Sequence, residues 1–325
     1  MSTVKEKTPL HQHLTKEYII MNRKQFIYNT ILATTGLSMP FNFVDINKKQ
    51  KKLTILHTND MHSHIFPLKS GKYKGLGGMA ERATLIKSLR EKIDNVLLLD
   101  AGDIFQGTPY FNFFGGELEF KLMSEMNYDA ATLGNHDFDN GINGLNNKLR
   151  YAKFSFINSN YDFRSTILNG KIKKFKIFKK DQLKVGVFGL GIELDGLVQK
   201  KLYEGIKYYD PIEVANEVSS TLKFDYKCDM IVCLSHLGLD YKSEKVSDLK
   251  VAKNSSYIDL IIGGHTHSFL ENSIFIKNQV NKKVVVSQAG YGGIKLGRLD
   301  FIFNKKNEIS KVISTLRDIK SLNFS

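Results

Sequence analysis

At 325 residues, with 42% apolar and 25% charged side chains, the chain has the make-up of an ordinary soluble globular protein, either one large α/β domain or two small ones. That is enough polypeptide to bury a substantial core without disulfides or structural metals, so any metal the sequence implies is better read as catalytic. The formal net charge of +14 favours encounter with anionic substrates, but there is no run of five or six basic residues and no nucleic-acid motif, so specific nucleic-acid binding is not expected.

Residues 1–20 are polar. Met21-Asn22-Arg23-Lys24-Gln25-Phe26 then opens a basic patch that runs into a modestly apolar stretch, Ile27 to Phe41. Basic, then apolar, then polar is the order of an export signal, placed at about 21–41 within an amino-terminal extension covering 1–50. Arg23-Lys24-x-Phe26-Ile27 is similar to a twin-arginine signal with one arginine replaced. An exported protein, periplasmic or at the cell surface, is therefore expected, with Met21 a candidate start. Asn29, Thr30, Thr34 and Thr35 dilute the stretch, which is too short and polar for a stable membrane span.

From residue 52 strands and helices alternate. Leu53–His57 is an apolar strand, and Met79 to about Lys92 a helix with Ala80, Ala83, Ile86 and Leu89 at helical spacing. Val96–Leu99 is a strand, Leu118–Met126 a helix, Ala130–Leu133 a strand, Gly141–Ala152 a helix and Phe154–Asn158 a strand. Across 165–182, Ile172, Phe175 and Ile177 alternate with lysines, as in an edge strand with one exposed face. Val185–Leu190 is a buried strand, and Pro211 opens a helix to Phe224. Met230–Leu234, Ile258–Ile262, Val284–Val286, Leu296–Phe303 and Ile309–Leu316 read as strands. If Cys228 to Cys233 is extended, its two thiols lie about 16 Å apart, too far for a disulfide, which needs Cα atoms within about 7 Å. One α/β domain over 52–320 is the economical reading.

Seven of the nine histidines fall near the ends of these strands: His57, His62, His64, His136, His236, His265 and His267. Asp60, Asp103 and Asn135 occupy the same kind of position. Ligands of open α/β sheets bind beyond the carboxyl ends of strands, so five strand ends would deliver these groups to one edge. Asp60-x-His62 and His265-x-His267 let one extended segment offer two donors to a common centre. Mixed nitrogen and oxygen donors suit zinc or manganese better than calcium, and seven donors exceed what one tetrahedral ion needs. A loop histidine is ordinarily a solvated surface residue, and that or a buried partner role is the reading preferred for His57 and His64. Asp100 reads as supporting a ligand rather than being one, and Gly290-Tyr291-Gly292-Gly293 as a turn or a pocket wall.

Taken together, Asp60-x-His62, Gly102-Asp103, Gly134-Asn135-His136-Asp137, His236 and Gly264-His265-Thr266-His267 resemble the calcineurin-like metallophosphoesterase signature. Thr-Asn-Asp-Met-His-Ser-His, Asp-Ala-Gly-Asp and Gly-Asn-His-Asp-Phe-Asp resemble its 5'-nucleotidase branch. The resemblance covers 52 to about 305. It implies a single-domain four-layer α/β/β/α sandwich holding two divalent metal ions. Asp60, His62, Asp103 and His267 would take one ion. Asp103, Asn135, His236 and His265 would take the other, with Asp103 bridging. His136, oriented by Asp139, would be the catalytic dyad, although Asp137 competes for the orienting role.

The implied activity is hydrolysis of phosphate monoesters, nucleoside 5'-monophosphates foremost. The alternatives are a 2',3'-cyclic nucleotide phosphodiesterase, a related sulfur-ester hydrolase, or a metal-binding subunit active only with a partner chain. Nucleotide-hydrolysing members usually carry a second, carboxy-terminal nucleotide-binding domain. The sequence ends at Ser325, so that domain is expected to be absent, with a separate chain supplying it or substrate selectivity being broad.

Overall fold

Several apolar runs are buried on both faces, which places them in the middle of parallel sheets. The computed structural model describes residues 50–320, so the segment carrying the export-signal expectation lies outside the described residues. The amino-terminal half contains strands β1 (Lys52–Thr58), β2 (Val96–Asp100), β3 (Ala130–Ala131), β4 (Ser155–Phe156) and β5 (Tyr161–Asp162). Its helices are α1 (Met79–Arg90), α2 (Pro109–Phe114), α3 (Glu117–Glu125) and α4 (Gly141–Leu149). The remainder holds β6 (Phe175–Lys180), β7 (Leu183–Gly191), β8 (Lys207–Tyr208), α5 (Pro211–Phe224), β9 (Met230–His236), α6 (Asp248–Asn254) and β10 (Leu260–Gly263). It closes with β11 (Ile274–Lys277), β12 (Lys283–Ser287), β13 (Lys295–Phe303) and β14 (Ile309–Asp318).

Two six-stranded sheets result, ordered β14-β13-β1-β2-β3-β4 and β11-β12-β10-β9-β7-β6. In the first sheet β1 to β4 run parallel out to the β4 edge, and in the second β12-β10-β9-β7 run parallel. Antiparallel β13 and β14 extend the first sheet beyond β1, and antiparallel β11 and β6 flank the second on either side.

Side-chain alternation sorts the core into three slabs. Between the sheets, Leu53, Ile55, Leu97 and Leu99 meet Val185, Val187, Val232 and Leu260. Outside the first sheet, Leu56 and Leu98 pack under Ile86, Phe120 and Leu145 of its helices. Outside the second, Ile231, Cys233 and Ile261 pack under Val214, Val218 and Leu222 of α5 and Val251 of α6. Three apolar slabs separate four layers, α/β/β/α, as the sequence resemblance implies. Each large apolar side chain buried this way contributes roughly 1.5–3 kcal/mol.

α5 starts where expected. Pro211 fixes its first turn, and the Asp210 carboxylate accepts from Ile212 N and Glu213 N at 2.8 and 2.9 Å. Cys228 and Cys233 are both buried and unbonded to each other. β6 is the lysine-bearing edge strand read from residues 165–182, paired only to β7.

Two local expectations are corrected. The buried face of α1 is Met79, Arg82, Ile86 and Leu89, with Ala80 exposed, because a fully buried arginine takes the position expected for an alanine. The short helices α2 and α6 are new. α2 is mostly aromatic and two turns of α6 are too few to print a period. Among the described residues no helix is long and apolar enough to cross a membrane.

Candidate metal centre

All the inner strands point their carboxyl ends the same way within each sheet, and the loops leaving them are held by backbone bonds. Asp60 N donates to Gly102 O (2.9 Å), His62 N to Asp103 O (3.0 Å) and Ser63 N to Ile104 O (3.0 Å), locking the β1 and β2 loops together. Gly292 N, from the loop after β12 in the other sheet, donates to Asp60 O at 2.7 Å. Five of the seven expected ligands, Asp60, His62, Asp103, His265 and His267, have positive φ, between 47° and 71°. Non-glycine residues avoid this region unless their surroundings hold them there.

Two groups of donor atoms form. Asp60, His62 and His267 make one and Asp103, His236 and His265 the other, each with its ligand atoms within 4.8 Å of one another. In the first, His62 Nε2 and His267 Nε2 are 3.0 Å apart, and Asp60 Oδ1 lies 3.4 Å from His267 Nε2. In the second, Asp103 Oδ2 is 3.1 Å from His236 Nε2, and Asn135 Oδ1 is 2.9 Å from His265 Nδ1. Asp103 Oδ2 also lies 3.9 Å from His62 Nε2, so its carboxylate faces both groups. Gly134 permits that placement, since a Cβ there would collide with Asp103 Oδ1.

The tautomers favour ligation. His236 Nδ1 is 2.7 Å from Ala101 O and His62 Nδ1 is 3.2 Å from Gln106 O. A carbonyl only accepts, so each Nδ1 carries a proton and Nε2 is the atom turned toward the donor groups. His236 Nε2 is buried against Asp103 Oδ2 at 3.1 Å, where a cation would take the place of the proton between them. Nitrogens sharing a tetrahedral zinc at about 2.0–2.1 Å stand roughly 3.3 Å apart, in keeping with the spacings here. The residues therefore fit divalent metals.

The electrostatics lean the same way. Burial opposes a charge on His236, but the Asp103 and Asp60 carboxylates outweigh it and push its pKa to about 10. Burial also works against the Asp103 charge, yet the facing imidazoles, His236 foremost, hold it well below the ordinary carboxylate range. Burial and the His236 charge pull His265 down to about 4, leaving a neutral imidazole. Buried carboxylates that draw positive charge onto their neighbours form a field suited to cations.

His136 stands at the rim. Its backbone N donates to Asp103 Oδ1 at 2.8 Å, and its Nδ1 lies 2.8 Å from Asp139 Oδ2. Asp139, the first of several causes, raises its pKa. Asp137 is occupied elsewhere, accepting from the backbone N–H groups of Asp103, Ile104, Phe105 and Gly134 at 2.8–3.2 Å. The competition between these carboxylates therefore ends with Asp139 on the histidine and Asp137 clamping the Asp103 loop.

The remaining strand-end residues stay outside both groups. His57 lies within β1, between the sheets, with Nε2 3.1 Å from Ser287 Oγ and burial pulling its pKa to about 4. His64 Nδ1 is 3.2 Å from Met61 O. Asp100 accepts from Gly102 N (2.9 Å) and Thr58 Oγ1 (2.6 Å), fixing the turn before Asp103. Tyr291 does reach the centre, stacking on His267 with ring centroids 5.2 Å apart and planes at 20°.

Sequence reasoning missed three supports. Asn59 donates to Asp60 Oδ2 and Gly290 O and accepts from Ala289 N, tying the sheets together. Gln288 donates to Gly264 O at 2.7 Å and accepts from Ser268 N, shaping the His265–His267 turn. Arg82 reaches Met61 Sδ and Gly293 O from beneath. Asn59 and Gln288 carried a usable signal, since each directly follows a strand at its carboxyl end.

An α/β/β/α sandwich with paired nitrogen–oxygen donor groups at its strand ends defines a class of metal-using hydrolase folds. This chain belongs to the calcineurin-like phosphoesterase family, whose model matches residues 53–269. It is similar to a snake venom 5'-nucleotidase from Crotalus adamanteus, 35% identical over 283 residues that cover 80% of this chain and 47% of that one. A solved 5'-nucleotidase precursor from Thermus thermophilus superimposes with a TM-score of 0.73 at 31% identity, covering 83% of this chain and 55% of that one. A calcineurin-like phosphoesterase from Bacillus subtilis gives a TM-score of 0.68 at 25% identity, covering 83% of this chain and 92% of that one. The chain spans about half the length of the curated relatives it matches.

Proposed function

We propose that this protein is a two-metal hydrolase of phosphate monoesters, with nucleoside 5'-monophosphates as substrates and residues 52–320 as its catalytic domain. Asp60, His62, Asp103 and His267 would hold one ion and Asp103, Asn135, His236 and His265 the other. Zinc or manganese matches this mixture of imidazole, amide and carboxylate. Bound divalent cations supply Lewis acidity and a nucleophile at neutral pH. The chain's own groups do the rest. Asp60 and Asp103 balance the cationic charge, and the neutral imidazoles complete the shells. Asp139 keeps a proton on His136 Nδ1 and favours the imidazolium. That leaves His136 Nε2–H to donate to phosphoryl oxygens as negative charge builds on them.

The observation that carries this reading is a single carboxylate, Asp103, facing both donor groups while also receiving the backbone N–H of His136. Similarity to chains named 5'-nucleotidase supports the substrate. Phosphate release from AMP and glycerol phosphate, and ring opening of 2',3'-cyclic AMP to its monophosphate followed by chromatography, with and without chelator and with metal analysis of the same sample, test it. AMP turnover that chelator abolishes and manganese or zinc restores is expected. Turnover of the cyclic nucleotide alone would replace the reading with a phosphodiesterase. Metal-loaded but inert protein would make it a subunit dependent on a partner chain, and repeating the assay with candidate partners would then identify one.

A further inference from the structure

The strands' amino ends, opposite the metal centre, frame a cleft of about 850 Å³ where β9, β12 and β14 begin. The seven residues of β9 put roughly 20 Å between cleft and centre. Six lysines line it: Lys223, Lys227, Lys282, Lys283, Lys306 and Lys311. Its three acids are engaged with amides. Asp229 accepts from Lys184 N and Asn307 Nδ2, Asp259 from Ile231 N, and Glu308 from Asn304 Nδ2, at 2.8–2.9 Å. Lys223 Nζ donates to Cys228 O at 3.3 Å. Among the described residues none of the six lysines forms a direct ion pair, and although Lys223 and Lys282 act on Asp259 through space, six lysines against three acids leave the cleft with an excess of positive charge.

Two further features lie at this end. Exposed aromatic residues stand among the lysines: Phe275 on the cleft wall (51% exposed), and Phe224 (50%) and Tyr226 (44%) between Lys223 and Lys227. The chain also enters the fold here, since Lys51 Nζ donates to Asn307 Oδ1 on the cleft wall at 2.7 Å. The sequence leading in is Lys48-Lys49-Gln50-Lys51-Lys52, with the apolar stretch Ile27 to Phe41 a few residues earlier.

We propose that this lysine end docks on an anionic phospholipid bilayer, seating headgroup phosphates in the cleft and turning the metal centre away from the surface. A soluble anion would account for the cleft lysines alone. A bilayer also accounts for aromatic side chains held in water beside them, because rings settle at the headgroup level while lysines reach the phosphates. It accounts too for basic charge that continues along the chain toward an apolar segment.

The test is sedimentation of the full chain with phosphatidylglycerol–phosphatidylcholine vesicles and with pure phosphatidylcholine vesicles. Salt-sensitive binding to the anionic vesicles alone is expected. About fivefold in partition per lysine predicts a roughly hundredfold loss for Lys282→Ala/Lys283→Ala/Lys306→Ala. An unchanged melting temperature would show that this variant keeps its fold. Phe275→Ser probes the same face without touching charge and should weaken binding several-fold. Equal binding to both vesicles would assign adhesion to the apolar amino-terminal stretch and overturn the proposal. So would wild-type binding by the triple variant, or capture of inorganic polyphosphate without any vesicle adsorption.

Discussion

The two ends of the same strands differ in how they use strained backbone. Among the described residues thirteen non-glycine residues have positive φ, and they divide by end. At the lysine end sit Asn95, Asn127, Asp181, Lys227, Asn281 and Asn307, five of them the Asn or Asp that tolerate left-handed turns through local side-chain bonds. At the metal end sit Asp60, His62, Ser63, Asp103, Gln106, His265 and His267, of which only Asp60 and Asp103 are Asn or Asp. The first set is chosen by residue type. The second is imposed by partners, through the interlocked loop bonds and through His265 N, which donates to both Asp60 carboxylate oxygens at 3.0 Å. Turn chemistry makes corners at one end, and at the other the surrounding protein holds donors where they would not settle by themselves.

Breaking the imposed end should have the larger effects. Asp103→Ala removes the carboxylate facing both donor groups, and AMP turnover should fall on the order of 10³-fold or more, with metal content falling in parallel by mass spectrometry. His136→Ala should lower turnover about 10²-fold while metal content holds, which separates the dyad from the ligands. Asp137→Asn exchanges an acceptor for an amide opposite four backbone N–H groups, and should destabilise the fold by about 2 kcal/mol in urea unfolding. Asn281→Gly, at the lysine end, should shift stability by less than about 0.5 kcal/mol, because glycine keeps the same turn. A loss there as large as that at Asp137 would erase the distinction between the ends.

The sequence made the centre more legible than its scaffolding. The inner strands are apolar on both faces, so runs such as Val96–Leu99 and Met230–Leu234 announce themselves, and the donors follow at their ends. Arg82 was invisible because a charged residue on a helix ordinarily marks the solvated face, yet here it is buried beneath Met61 and Gly293. The choice between Asp137 and Asp139 could not be made from spacing alone. Both follow His136 closely, and only the fold shows which one four amides have already occupied. β5, β8 and β11 are too short or too mixed to print a period of two.

The stitching between the sheets carries a consequence for assembly. β1 lies beside β13, with Lys52 opposite Ile302, and Asn59 and Asp60 are bound to residues 289, 290 and 292. Contacts this distant in the chain form late. A nascent polypeptide therefore carries most of its would-be ligands long before it can arrange them, and acquires its binding geometry only when the final strands close against the first. If the proposed ions bind, their uptake would then double as a timestamp for maturation, marking the molecules whose last strands have closed.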